Sequence, residues 1–175
     1  TSVLKTFSIR IISQNDPPTF TSAPTLTATE EELYTYNITF GDQESDVNNL
    51  RLTATVLPEW LTLQVGSGTA VLSGTPENKH FGENVVTLTL TDGDLLTDQN
   101  FTIRVVNVND PPVFVSSPNT KAILNSQYVY NILTNDIDPN DAVSLEAEVL
   151  PAWLTFNNNN NGSGNLTGTP GRGEI

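Results

Sequence analysis

Apolar residues recur at every second position along this chain and nowhere at the spacing of a helix. Tyr34, Tyr36, Ile38 and Phe40 alternate with Thr35, Asn37 and Thr39, and Leu50, Leu52, Ala54 and Val56 alternate with Arg51, Thr53 and Thr55. Val86, Leu88 and Leu90 are spaced by threonines, and Phe101, Ile103 and Val105 by Thr102 and Arg104. Successive side chains of a strand point to opposite faces, so each run predicts a strand with one buried and one wet face. Threonine-rich outer faces suit strands. Turn-forming residues at 42–49, 66–68, 74–76 and 92–93 separate the runs. About seven short strands in some ninety residues is the count of an immunoglobulin-like sandwich.

The pattern occurs more than once. Asn15-Asp16-Pro17-Pro18-Thr19-Phe20 returns as Asn109-Asp110-Pro111-Pro112-Val113-Phe114, an offset of 94 residues. Leu72-Ser73-Gly74-Thr75-Pro76 returns at the same offset as Leu166-Thr167-Gly168-Thr169-Pro170. Leu57-Pro58-Glu59-Trp60-Leu61 returns as Leu150-Pro151-Ala152-Trp153-Leu154, one residue short of that offset, and Phe7-Ser8-Ile9-Arg10 matches Phe101-Thr102-Ile103-Arg104. Four anchors in register define a tandem repeat. The fold class expected is all-β, tandem immunoglobulin/cadherin-like Greek-key sandwiches. Residues 1–16 read as the last strand of a preceding or neighbouring-subunit repeat plus its linker. Residues 17–110 read as a complete repeat with its linker, and 111–175 as a second repeat lacking its last strands. Paired prolines hold each linker short and extended.

Composition narrows the partners. Among 175 residues there are 20 acidic and 7 basic side chains, a formal charge of −13, no cysteine, no methionine and one histidine. So acidic a surface repels nucleic acid and anionic membranes and attracts cations, divalent ones above all. No disulfide framework or thiol chemistry is available. No apolar run is long enough to span a bilayer, which argues against membrane insertion. The chain opens on Thr1 rather than Met, as a processed or cropped piece would.

The chain resembles the cadherin-like repeats of the dystroglycan type. The resemblance rests on Asp136-Ile137-Asp138, the Leu-Pro-x-Trp-Leu and Leu-x-Gly-Thr-Pro turns, Thr91-Asp92-Gly93-Asp94, and Asn107-Val108-Asn109-Asp110-Pro111-Pro112 with Phe114. It implies extracellular sandwiches arrayed end to end, often with calcium between neighbours, and no single biochemical activity. Calcium takes six to eight oxygen ligands. Mapped onto the resemblance, Glu30, Glu31 (with Glu32 beside them), Asp92 and Asp94 of the lower repeat, Asn109 and Asp110 of the linker, and Asp136 and Asp138 of the upper repeat would hold it. Asn15, Asp16, Asp42 and Glu44 repeat the plan as a possible second metal site. Departures point to fewer or weaker ions than a cadherin joint holds. Asn107 stands where cadherins usually carry Asp, and Asp92-Gly93-Asp94 replaces their Asp-Arg-Glu. Ser13 replaces Asn107 at the first joint, and Leu124, Asn125 and Ser126 replace the three glutamates in the second repeat, which argues against a joint above it. The alternative for every one of these acids is a solvated loop residue serving a turn.

Trp60 and Trp153 belong to a repeated motif, so core packing is expected rather than stacking on sugars. His80 reads as an exposed loop histidine with no metal or catalytic partner. Asn37, Asn100, Asn161 and Asn165 begin Asn-x-Ser/Thr sequons. Asn37, Asn100 and Asn165 alternate with inward residues, so they are expected to face solvent, and Asn157 to Asn161 reads as a loose hairpin tip. The function expected is a non-enzymatic extracellular structural or adhesive glycoprotein repeat, a rod or filament segment with neighbouring copies or repeats as partners. The alternative is an accessory, carbohydrate-binding module of a secreted enzyme, with glycans as partners. Residues 3–13 read as a final strand that pairs with a sandwich outside the chain's own first repeat, either in a longer array or by strand complementation between copies.

Overall fold

In a computed structural model, the structure describes residues 1–12 and 14–174. Ser13 and its comparison with Asn107 lie outside the described residues. The chain divides into two compact units, Thr1–Asn107 and Val108–Ile175.

Among its described residues the first unit holds eight strands: β1 (Thr19–Phe20), β2 (Thr27–Thr29), β3 (Tyr34–Gly41), β4 (Arg51–Val56), β5 (Thr62–Val65), β6 (Thr69–Gly74), β7 (Gly82–Thr91) and β8 (Leu96–Val106). They form two four-stranded sheets, ordered β1-β3-β6-β5 and β2-β8-β7-β4. The count is one above the seven expected, because the first strand is divided. β1 pairs antiparallel with β3 in one sheet, and β2 pairs parallel with β8 in the other. Pro24 lies in the segment between them, where a missing N–H interrupts no ladder. Two three-residue 3-10 turns are the only helical elements described in this unit, at Val47–Asn49 and Asn78–His80.

The alternation seen in the sequence becomes the core. β3 buries Tyr34, Tyr36, Ile38 and Phe40 and exposes the residues between them. Opposite them lie Val86, Leu88 and Leu90 of β7 and Phe101, Ile103 and Val105 of β8, in one buried cluster with Trp60, Leu61 and Leu72. Tyr36 meets Phe101 edge to face, as Tyr34 meets Trp60. The two repeated turn motifs are halves of one contact. A methyl group on Gly74 would lie 1.8 Å from the Trp60 carbonyl oxygen, and one on Gly168 would lie 2.0 Å from that of Trp153. Glycine is therefore required by backbone-to-backbone approach.

The second unit contains β9 (Val113–Phe114), β10 (Tyr128–Asn135), β11 (Leu154–Asn158) and β12 (Ser163–Gly168) in one sheet ordered β11-β12-β10-β9. This is the order of the β1-containing sheet in the first unit. Ile132 is buried, while Tyr128, Tyr130, Trp153, Leu154 and Phe156 are half-buried. Residues 1–12 carry no strand, and Phe7 and Ile9 are 78% and 79% exposed. They do not enter the core formed by residues 17–108.

Candidate functional site: an acidic cleft in the second unit

β10 ends at Asn135 and runs into a loop that starts Asp136-Ile137-Asp138. The Asp138 N–H donates to Asp136 Oδ1 at 3.1 Å, which folds the loop back on itself. Asp138 Oδ2 accepts the Asp110 N–H, so the loop is tied to the segment preceding Pro111. Asp141 completes a triad with Asp136 and Asp138 whose carboxylate oxygens lie within 4.8 Å of one another. Ligand oxygens around one calcium lie at most about 5 Å apart, given Ca–O distances of about 2.4 Å. Asp138 is 6% exposed, and its Oδ1 is buried with no hydrogen-bond partner. An unsatisfied buried acceptor costs about 1–3 kcal/mol, and carboxylates this close repel one another. A cation coordinated by the triad would relieve both costs. The triad lines a cleft of about 300 Å3 whose far wall is the turn 160–162 between β11 and β12.

The structure places the other acids at two ends of the first unit. β8 runs 11 residues from the 92–95 turn to Asn107, about 35 Å at about 3.3 Å per residue. Glu30 and Glu31 lie at the Asn107 end, where the Glu30 N–H donates to Val106 O. Glu30 is buried, Glu31 is exposed, and Asn107 Oδ1 is buried without a partner. Asp92 and Asp94 lie at the opposite end. The expectation that Glu30, Glu31, Asp92 and Asp94 form one face of a single site is therefore corrected. A β-hairpin turn and the linker that leaves its second strand occupy opposite ends of that strand.

Asp92 instead meets the first linker. Its Oδ2 accepts Asn15 Nδ2 at 2.8 Å, and its Oδ1 accepts the N–H groups of Asp94 and Leu95 at 2.8 and 2.7 Å. The Leu95 N–H most of all, then Asn15 and Asp94, hold the Asp92 carboxyl below the usual aspartate range. Asp42 begins the loop after β3, its Oδ1 accepts the Glu44 N–H at 3.4 Å, and its Oδ2 is buried without a partner. Asp16 and Glu44 are exposed. Asn109 is exposed and donates to Asp110 O at 3.2 Å.

Asp141 was not singled out by sequence reasoning, and the turn 160–162 was read only as a hairpin tip with a sequon at Asn161, not as a wall of the acidic cleft. Asp141 follows Asp136 and Asp138 at a spacing that a longer motif, Asp-x-Asp-x-x-Asp, would have flagged. His80 is also placed differently from the expectation. Its side chain is 10% exposed, its Nδ1 accepts the Glu77 N–H at 2.8 Å, and its ring packs beside Trp60. It staples the 78–80 turn to the core, which a sequence without contacts cannot reveal. Lys79 first, and then His80, hold the exposed Glu59 carboxyl below its usual range. Trp60 is buried and its Nε1 donates to Asn84 Oδ1 at 3.0 Å, while half-buried Trp153 meets Tyr128 edge to face. Asn37 and Asn100 are exposed, as is Asn161. Asn165 is half-buried and accepts Asn157 Nδ2 at 3.1 Å. Along β12 only Gly164 is buried and the other residues, Asn165 among them, are half-buried, so alternation sorts it less cleanly than expected.

A family model described as "Putative Ig domain" matches residues 17–106 and 111–174. The chain belongs to this family. Its Ig-like repeats match no curated protein. Among solved structures, an endo-fucoidan hydrolase, MfFcnA4 of glycoside hydrolase family 107, is 30% identical over 90% of this chain and 25% of its own, with a TM-score of 0.48. The chain thus spans about a quarter of that hydrolase's length. Titin domains Z1Z2, solved with telethonin, are 13% identical over 89% of this chain and 82% of theirs, with a TM-score of 0.46. The SrpA adhesin from Streptococcus sanguinis is 15% identical over 65% of this chain and 71% of its own, with a TM-score of 0.44. Among the described residues no helix is long and apolar enough to cross a membrane.

Proposed function

We propose that this chain is part of an extracellular structural or adhesive array of Ig-like repeats, of the cadherin-like kind, with calcium held at an acidic end of the sandwich. The observation that carries the structural reading is the parallel pairing of β2 with β8, with Thr27 opposite Arg104, Ala28 opposite Val105 and Thr29 opposite Val106. The first and last parts of the sandwich are bonded side by side. A pull on the unit's two ends therefore loads these bonds together, in shear, which suits a spacer under tension. The observation that supports calcium is Asp138, buried with an unpartnered oxygen beside Asp136 and Asp141. Extracellular calcium modules bind at about 10⁻⁴ to 10⁻³ M, matching an ion present at millimolar concentration outside cells.

In this reading the exposed segment that includes Phe7 and Ile9 is a last strand that completes another repeat, and Asn37 and Asn100 are the sequons best placed to carry glycans. An accessory module that grips polysaccharide would need an exposed aromatic platform. Trp60 is instead engaged by Tyr34 and Asn84, and Trp153 by Tyr128.

The native chain lacks cysteine, so pulling handles can be placed at will. With handles at 17 and 107, the first unit is expected to rupture in one cooperative event. With handles at 31 and 107, β2 is peeled from β8 bond by bond, and the rupture force is expected to fall severalfold. Equal forces in the two geometries would remove the load-bearing reading.

A further inference from the structure

The two repeats close the same corner of the sandwich differently. In the first, the turn between β5 and β6 carries Ser67, whose Oγ donates to Asn48 Oδ1 at 2.7 Å. Asn48 in turn donates to Asp46 Oδ1 through its Nδ2 at 2.7 Å and its N–H at 2.9 Å. The carboxylate caps the Val47–Asn49 turn, and a neutral side chain ties the acidic loop to the hairpin.

In the second repeat Gly162 takes the place of Gly68 at the offset of 94. A methyl group on Gly68 would touch Val47 at 3.5 Å, and one on Gly162 would touch Val143 at 3.5 Å. Val143, however, follows Asp136 by two residues more than Val47 follows Asp42. That insertion removes the cap, and no 3-10 turn forms over 141–147. Among the described residues, no side-chain hydrogen bond joins Asp141 to the turn. Between them lies the cleft, with Asp138 Oδ1 buried and unpartnered.

We propose that a calcium ion does in the second repeat what Asn48 does in the first. Bound by Asp136, Asp138 and Asp141, it also takes neutral oxygens from the 160–161 turn and so ties hairpin to loop. This rests on the calcium reading above and adds the arm that completes the site. Three carboxylates alone fall short of the six to eight oxygens calcium takes unless all three bind through both oxygens. The turn is held ready for the role. Thr134 N–H and Oγ1 donate to Gly162 O at 3.1 and 2.6 Å, and Asn160 keeps a left-handed backbone with φ of 58°. Asn161 Oδ1 already accepts Ser163 N–H and Oγ. That leaves the exposed Asn160 carboxamide and the turn's carbonyl groups to face the ion.

The test exchanges the turn residues for those the first repeat carries at the same offset, Gly66 and Ser67, as the double variant N160G/N161S. Glycine accepts the left-handed backbone at 160, and a serine hydroxyl at 161 keeps an acceptor for the Ser163 N–H that Asn161 Oδ1 takes in the wild type. Calcium chloride is titrated calorimetrically into the whole chain, the double variant and D138N, and thermal midpoints are read in chelator and in calcium. The expected result is binding by the wild type, loss of that event in D138N, and at least tenfold weaker binding by the double variant with an unchanged midpoint in chelator. Wild-type affinity in the double variant, with binding lost in D138N, would overturn the role of the turn and leave the calcium site standing. No heat from the wild type would overturn both.

Discussion

Gly74 and Gly168 sit where a single methyl group has no room, because each faces a tryptophan carbonyl, that of Trp60 or Trp153. Gly74→Ala is expected to destabilise the first unit by about 3 kcal/mol, since overpacking at backbone contact cannot be relieved by side-chain movement. Chemical denaturation of the first unit checks this, and a change below about 1 kcal/mol would show that the turn can move. Tyr34 offers a second test at this scale. Burial first, and then Tyr36, push its phenol up to about 12 from an ordinary 10.0. Its neutral form is thus favoured in the fold, a contribution present below the unfolded value and lost as pH rises towards the folded one. Ultraviolet titration should show one tyrosine ionising near pH 12, with stability declining from about pH 10 upward. The glycine and tryptophan motifs were legible as repeats in the sequence, although their mutual contact was not. His80 was illegible for a similar reason, since nothing local to 77–83 reports the Trp60 ring against which it lies.

At the scale of elements, alternation identified β3, β7 and β8 with the correct inward faces, because a half-buried strand writes its period into the sequence. In β4 it holds only as far as Ala54, beyond which a bulge turns Val56 outward. Short strands carry too few residues to do so, and the division of the first strand into β1 and β2 was missed. The acidic loops show the limit more sharply. Sequence gives the order of acids but not the end of the sandwich to which each turn is delivered, so Asp92 and Asp94 were grouped with the wrong linker. Loop length then separates residues that look alike. Asp46 caps a turn, and Asp141 faces the cleft. Asp46→Ala should therefore cost about 1 kcal/mol of stability with or without calcium, the usual worth of a cap. Asp141→Ala should leave stability in chelator unchanged and abolish the added stability seen in calcium. Paired melts of the two variants separate the roles, and a calcium-independent loss at Asp141 would contradict this assignment.

For the whole molecule, the tandem organisation was legible from the repeat offset alone, and the family match covers both repeats. Phe7 and Ile9 match core residues Phe101 and Ile103 in sequence, yet they are exposed in their own chain. Phe7→Glu with Ile9→Glu is expected to change the stability of the first unit by less than about 0.5 kcal/mol, whereas Ile103→Ala should cost about 2–5 kcal/mol. A large loss from the first pair would place those residues in the core of 17–108. The thermal midpoint of the second unit within the whole chain reports whether a calcium site is built on Asp138. At an ion concentration ten times the dissociation constant, bound calcium is expected to add about 1.4 kcal/mol of stability, seen as a raised midpoint in wild type and absent from D138N. Superimposable melts of the wild type in millimolar calcium and in chelator would contradict it.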